Sequence, residues 1–274
     1  MTTMPRFVAI DVETTLNGNE DVGLAHPMHP DNRVVAWGIH KDHPFYTPQT
    51  TYTEAVFEAL VEASEPTHVF CGHNLAFDLM YLYKNPKLKS WLQEQKIWDT
   101  QLAEYILSAQ QTKWSSLDEL CIKYGLPVKD DTIKKYFQAG LGSDKIPPEE
   151  LIPYLEQDVT NTLAIAKLQW QRAVDQGQLV LIETQMEALH ATTEMQFNGL
   201  HIDRVALDKY TLVVVNDYVD VKLNLESIAS KHVDDINSPK QWSQFFFGGT
   251  KKVKVKEEVG FYKNGKVKTK LMDK

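Results

Sequence analysis

Short apolar runs that lead straight into acidic residues constrain this chain most. Phe7-Val8-Ala9-Ile10, with Pro5 before it and Thr14-Thr15 beyond it, reads as a buried strand. Residues two apart share a strand face, so Asp11 and Glu13 project together from its end. Two carboxylates so placed repel unless water screens them or a cation lies between them. His68-Val69-Phe70-Cys71 is a second such run, interrupted by Gly72. Asn74 then suits the cap of a helix starting at Leu75, its side chain accepting from free N–H groups. Phe77 and Asp78 fall in that helix's first turn, where a carboxylate favours the helix dipole. Tyr154 and Asp158 share one face of a third element, a helix for which Pro153 suits the first position.

The segments between these runs complete an α/β pattern. Arg33 to His40 reads as a second strand, Pro44 to Thr47 as a short third, and Ile97-Trp98 as another. Tyr52 to Ala63 has helical periodicity, and strands interleaved with helices define the class. Gly18 to Asn32, with His26-Pro27 and His29-Pro30, reads as a polar surface loop. Beyond Asp158 the pattern becomes long helices: one continuing through Leu163 to Ala173, one from Leu179 to Phe197, and one capped by Asp203 and running to about Ser230. Their apolar periodicity reads as packing. The expected division is an acid-bearing domain over 1–175 and a helical region with a lysine-rich end over 176–274.

With 274 residues and 43% hydrophobic content, the chain can bury a substantial core. Cys71 and Cys121 have no ligand spacing, which argues against a disulfide framework or a zinc site. No apolar stretch approaches bilayer length, so the expected location is the cytoplasm, or the host cytoplasm if the chain is viral. The net charge of −8 is unevenly spread: residues 251–274 hold nine lysines against Glu257, Glu258 and Asp273. That end alternates strand-like residues with charge around Asn264-Gly265, a hairpin signal, and offers phosphate contacts or a docking strand pair.

Each acidic motif alone is weak; an Asp-x-Glu triplet is expected roughly once by chance in a chain like this. Together they suit one chemistry. Hard divalent ions take Asp and Glu oxygens, and two ions about 3.5–4 Å apart can activate water, neutralise a phosphodiester and stabilise the leaving alkoxide. In this order the motifs resemble the DEDD superfamily of 3′–5′ exonucleases, in the subgroup with tyrosine in the third motif. More specifically, Phe7 to about Lys167 resembles the proofreading exonuclease domain of family A DNA polymerases, with Trp98 to Tyr105 and Ser116 to Leu120 similar to its helical stretch. The resemblance implies an RNase H-like mixed sheet and two divalent ions, magnesium or manganese. It implies that Asp11, Glu13 and Asp158 hold one ion and that Asp11 and Asp78 hold or approach the other. Tyr154 with Glu13 would position the attacking water. Thr14, Asn74 and Phe77 would border the 3′-terminal nucleotide, with Leu16 as the apolar wedge at the terminal bases.

A second resemblance lies further on. Glu194 to Asp203 is similar to the junction where family A polymerases enter their polymerase region, and Ile236 to Gln241 with Phe245 to Gly248 is similar to a thumb segment. Palm and finger motifs are not found. The expected activity is therefore 3′–5′ exodeoxyribonuclease proofreading on single-stranded or frayed DNA ends, in a piece of a polymerase or beside a separately encoded one. Two alternatives stand. An RNase D-like exoribonuclease has the same acids, since the 2′-OH contacts that separate the substrates are not in the motifs. An inactive nucleic-acid-binding or polymerase-docking module is disfavoured by the complete set of four carboxylates and tyrosine.

Overall fold

The structure, a computed structural model, describes residues 3–18, 23–64, 68–111, 113–128, 133–229, 233–248, 254–262 and 266–273. Contacts divide the chain into two compact units, 1–200 and 201–274. The first unit contains, in chain order, β1 (Phe7–Thr14), β2 (Val34–Lys41), β3 (Gln49–Thr51), α1 (Glu54–Glu62), β4 (Val69–Gly72) and α2 (Leu75–Leu82). It continues with α3 (Pro86–Gln93), β5 (Lys96–Asp99), α4 (Thr100–Leu107), α5 (Leu117–Tyr124), α6 (Lys134–Gln138), α7 (Pro148–Asp175) and α8 (Leu179–Asn198). The second contains α9 (Arg204–Ala229), α10 (Pro239–Phe247), β6 (Lys254–Phe261) and β7 (Val267–Asp273).

Five strands form one mixed sheet in the order β3-β2-β1-β4-β5, the RNase H-like arrangement. β1 is central, antiparallel to β2 and parallel to β4. It is central because Phe7, Val8, Ala9 and Ile10 bury almost completely, as an apolar run without alternation requires. Phe7 meets Trp98 and Trp170 edge-on, at 6.3 and 5.9 Å between ring centroids, which ties β1 to β5 and to α7.

Three local readings differ from the structure. Pro44 to Thr47 is not a strand: the His43 N–H donates to the Lys41 carbonyl and the Tyr46 N–H to the His43 carbonyl, which closes tight turns. Pairing resumes only where Gln49 meets Ile39. Pro153 is not at a helix start, because α7 begins at Pro148, whose missing N–H costs nothing there. Pro153 lies in the second turn, on an exposed position where water can replace the lost bond to the Glu149 carbonyl. The Gly18 to Asn32 segment is more than a surface loop, since His29 and Asn32 are buried. The Asn32 carboxamide accepts from the Asn17 N–H (2.9 Å) and donates to the carbonyls of Asn17 (2.9 Å) and His26 (3.0 Å). A loop that turns inward needs such a partner for its backbone polar groups.

A buried ion cluster braces α4, α5 and α7. Glu104, 1% exposed, accepts from Lys123 (2.6 Å), Tyr124 (2.6 Å), Gln169 (3.1 Å) and Arg172 (2.9 Å). Burial alone would raise its pKa, but the Lys123, Tyr124 and Gln169 bonds outweigh it and the net shift is downward. A lowered carboxylate pKa stabilises the fold above the unfolded-state value, near 4.3, and that contribution fades as pH falls through the folded value. Glu104→Gln is therefore expected to cost about 2 kcal/mol in urea unfolding at neutral pH. The difference from wild type should shrink on acidification; a pH-independent difference would contradict the assignment.

In the second unit α9 starts as expected, with the Ala206 N–H on Asp203 Oδ1 at 3.0 Å. Its apolar pattern does not read as packing, however: Val205, Tyr210, Val214, Tyr218 and Leu223 are all exposed. The other described elements of this unit, α10 and a two-stranded ribbon, leave that long helix largely uncovered. α10 is capped by Ser238, which accepts from the Gln241 N–H. β6 and β7 pair antiparallel, while Asn264-Gly265 lies outside the described residues. Among the described residues no helix is long and apolar enough to cross a membrane.

Candidate active site

The site forms where α7 crosses the C-terminal half of β1. Asp11 and Glu13 share one face of β1, and Asp158 lies on the buried side of α7 with Leu155 and Val159. One carboxylate oxygen from each of Asp11, Glu13 and Asp158 lies within 4.8 Å of the others. This approach depends on Gly38 of β2, the cross-strand partner of Asp11. A Cβ at Gly38 would sit 2.8 Å from Leu155 Cγ and 3.0 Å from Val159 Cγ1, so only glycine lets α7 lie this close to the sheet.

Asp78 reaches the same strand by another route. It is 2% exposed, and its Oδ1 accepts the Val12 N–H at 2.9 Å. That N–H is available because β4 pairs with β1 only as far as Ala9, where it meets Cys71. Burial pushes the Asp78 pKa well above the usual carboxylate range, the Val12 N–H opposes this, and the charges of Asp99 and Glu13 push it higher. Asp78 is thus placed beside the cluster of three acids rather than within it.

The helix carrying Asp78 does begin at Leu75, but Asn74 does not cap it with its side chain. Asn74 is in the left-handed conformation (φ 57°) and its side chain makes no cap bond. The cap comes from Asp99 at the end of β5. Its carboxylate accepts the N–H groups of Leu75 (2.9 Å), Asn74 (3.3 Å), Gln101 (2.8 Å) and Leu102 (3.2 Å), holding the starts of α2 and α4 together. Burial raises the Asp99 pKa against the pull of those four donors. An Asp between a strand and a helix signals the cap of α4, but nothing local reveals its second hold on α2.

Ser143 was also invisible to sequence reasoning. It is 1% exposed in a single 3-10 turn, Ser143–Lys145, and its hydroxyl donates to Glu13 Oε2 at 2.7 Å. Gly142 makes this possible by passing under the first loop, where a Cβ would lie 2.6 Å from the Leu16 nitrogen. Tyr154 stands one turn before Asp158, half-buried against the cluster of Ala36, Ile133, Ile146, Leu151 and Leu155. Thr14 is buried at the end of β1, Leu16 is half-buried in the following loop, and Phe77 meets Tyr81 edge-on at 5.3 Å. Of the residues expected to act together, the structure gathers Asp11, Glu13 and Asp158 most closely, with Asp78 on the adjoining edge.

Clustered carboxylates of this kind favour a hard cation with oxygen ligands, because bringing like charges together is costly without one. The donor set fits magnesium or manganese. An RNase H-like sheet with acids gathered on its central strand and crossing helix defines a nuclease of the DEDD class, which uses divalent metals. Residues 7–171 match the 3′–5′ exonuclease family of family A DNA polymerases, and the chain belongs to that family.

Among solved structures, the chain is similar to the POL domain of Pol1 from M. smegmatis in complex with DNA primer-template and dNTP. The identity is 16%, the TM-score is 0.62, and the match covers 96% of this chain. The chain spans 40% of that polymerase chain. It is also similar to NrnC of Brucella melitensis bound to pGG, at 18% identity and a TM-score of 0.50, covering 70% of this chain and 85% of NrnC. Likeness at such identities extends to the fold alone. No curated protein matches the chain by sequence.

Proposed function

We propose that this 3′–5′ exonuclease hydrolyses DNA from single-stranded or frayed 3′ ends and serves proofreading. The observation that carries the reading is the meeting of Asp11, Glu13 and Asp158 oxygens within 4.8 Å, built by the central strand β1 and the remote helix α7. Asp11, Glu13 and Asp158 would hold one divalent ion, and Asp11 with Asp78 a second, magnesium or manganese. Bound there, such ions supply a nucleophile at neutral pH and neutralise the phosphate charge. Tyr154 and Glu13 orient the water, and Ser143 fixes the Glu13 carboxylate through its 2.7 Å bond. Thr14, Asn74 and Phe77 border the terminal nucleotide, with Leu16 as the wedge against its neighbours.

Support for DNA comes from the C-terminal third, with its polymerase-like segments from Glu194 to Asp203 and from Ile236 to Gln241 with Phe245 to Gly248. The similar Pol1 structure, which holds a DNA primer-template, extends over 96% of this chain. On this reading residues 1–175 perform the chemistry and 176–274 serve attachment to a polymerase, in the same or a separate polypeptide, in the cytoplasm. The exposed apolar residues of α9 suit such attachment.

Matched DNA and RNA oligonucleotides of one sequence test the substrate assignment. DNA is expected to be shortened at least about tenfold faster, the discrimination available to one or two contacts at the 2′ position. Equal or faster loss of RNA would overturn it in favour of an RNase D-like exoribonuclease.

A further inference from the structure

Trp114 is 58% exposed, and one face of its ring stacks on Tyr105, with centroids 4.7 Å apart and planes at 21°. Unlike the exposed Phe45, this ring is held in place by a stacked partner while remaining open to water. The segment around it is held by other groups: Gln101 Nε2 donates to the Ser115 carbonyl at 3.0 Å, and Ser116 forms a capping box with Glu119 at the start of α5. The indole is therefore positioned by its neighbours without being needed to position them.

Trp114 walls a cleft of about 320 Å³ whose other lining includes Asn74, Ala76, Leu102 and Leu189. Asp99 also lines it, with its carboxylate engaged by four backbone N–H groups. Among the described residues no lysine or arginine lines the cleft, which argues against a phosphate site. An indole beside the apolar Ala76, Leu102 and Leu189, with Asn74 and Gln101 as uncharged polar neighbours, suits an uncharged planar ring with hydrogen-bonding edges. Asn74, which lines the cleft, immediately precedes the helix turn that carries Phe77 and Asp78, so the cleft lies beside the start of the acid-bearing helix.

From this arrangement we infer that the Trp114 cleft is a subsite for a nucleobase of the substrate strand, on the 5′ side of the terminal nucleotide, stacked on the open face of the indole. The inference rests on the nuclease reading above. Stacking on an exposed aromatic ring is tolerant of sequence, as trimming of any 3′ end requires. The subsite gives the strand a grip away from the metal acids, so it acts on binding rather than on the chemical step.

The test compares wild type, Trp114→Ala and Trp114→Phe on two substrates: a short single-stranded DNA, and thymidine 5′-monophosphate p-nitrophenyl ester, which has a terminal nucleotide but no base on its 5′ side to occupy the cleft. Trp114→Ala is expected to raise KM for the oligonucleotide on the order of tenfold to a hundredfold, with kcat nearly unchanged and the ester unaffected. Trp114→Phe should recover most of the loss. Oligonucleotide binding in chelator, followed by quenching of tryptophan fluorescence, reads the subsite without turnover, and the quench should be lost in Trp114→Ala. Unchanged KM and unchanged quench in Trp114→Ala would overturn the subsite while leaving the exonuclease in place. Cleavage of neither substrate by wild type, with the quench retained, would overturn the nuclease reading and leave the stacking site standing.

Discussion

Replacing Asp158 by Ala is expected to lower turnover by at least about a thousandfold while leaving the fold intact. A metal ligand contributes several kcal/mol of charge stabilisation at the reacting phosphate, and about 1.4 kcal/mol corresponds to each factor of ten. The helix itself should survive, since Ala is the best helix former and Leu155, Val159 and Leu163 still anchor this face of α7. A second signature separates loss of a metal ligand from simple damage. In chelator the variant should melt at or above the wild-type temperature, because removing one of three crowded carboxylates relieves repulsion. In magnesium the wild type should gain stability by ligand binding, and most of that gain should vanish in the variant. Asp11→Ala should behave alike. Turnover that stays at the wild-type level in either variant would remove that residue from the metal set.

Gly38→Val should be nearly as damaging, although the residue carries no functional group. Its added methyls would enter the space of Leu155 and Val159, both fully buried, at distances below any ordinary contact. Overpacking of this kind costs about 1–3 kcal/mol, and relief requires α7 to move away from β2. Such a movement carries Tyr154 and Asp158 with it. A misplacement of about 1 Å at a catalytic site can cost on the order of a hundredfold in rate. The expected result is a folded protein with turnover lowered about a hundredfold and weakened metal affinity by calorimetric titration. Wild-type rate and metal affinity in Gly38→Val would show that the close approach of α7 is not what assembles the site.

The parts of the proposed catalytic constellation are legible because they obey local rules. Asp11 and Glu13 share a face by strand alternation, Tyr154 and Asp158 by helical spacing, and Asp78 follows a strand at the start of a helix. The groups that bring those parts together were not legible, because each acts across the fold. Gly38 matters only because α7 passes over it, Ser143 because its loop folds back 130 residues onto Glu13, and Asp99 because β5 ends beside β4. Asn74 shows the same limit: a side-chain cap was a sound local expectation, but a carboxylate 25 residues away takes its place. Burial of Asn32 likewise depends on Asn17 and His26 converging around it. The third strand lies later than the sequence suggests because Pro44 and its turn resemble an extended stretch, while the pairing at Gln49 to Thr51 is set by β2.

The most direct test is digestion of a 5′-labelled single-stranded DNA oligonucleotide with magnesium, with manganese and with chelator, beside the Asp11→Ala variant. A ladder shortening from the 3′ end in either metal, absent in chelator and in the variant, is the predicted result. Cleavage that persists in chelator, or in Asp11→Ala, would contradict the assignment of chemistry to a divalent ion held by these acids.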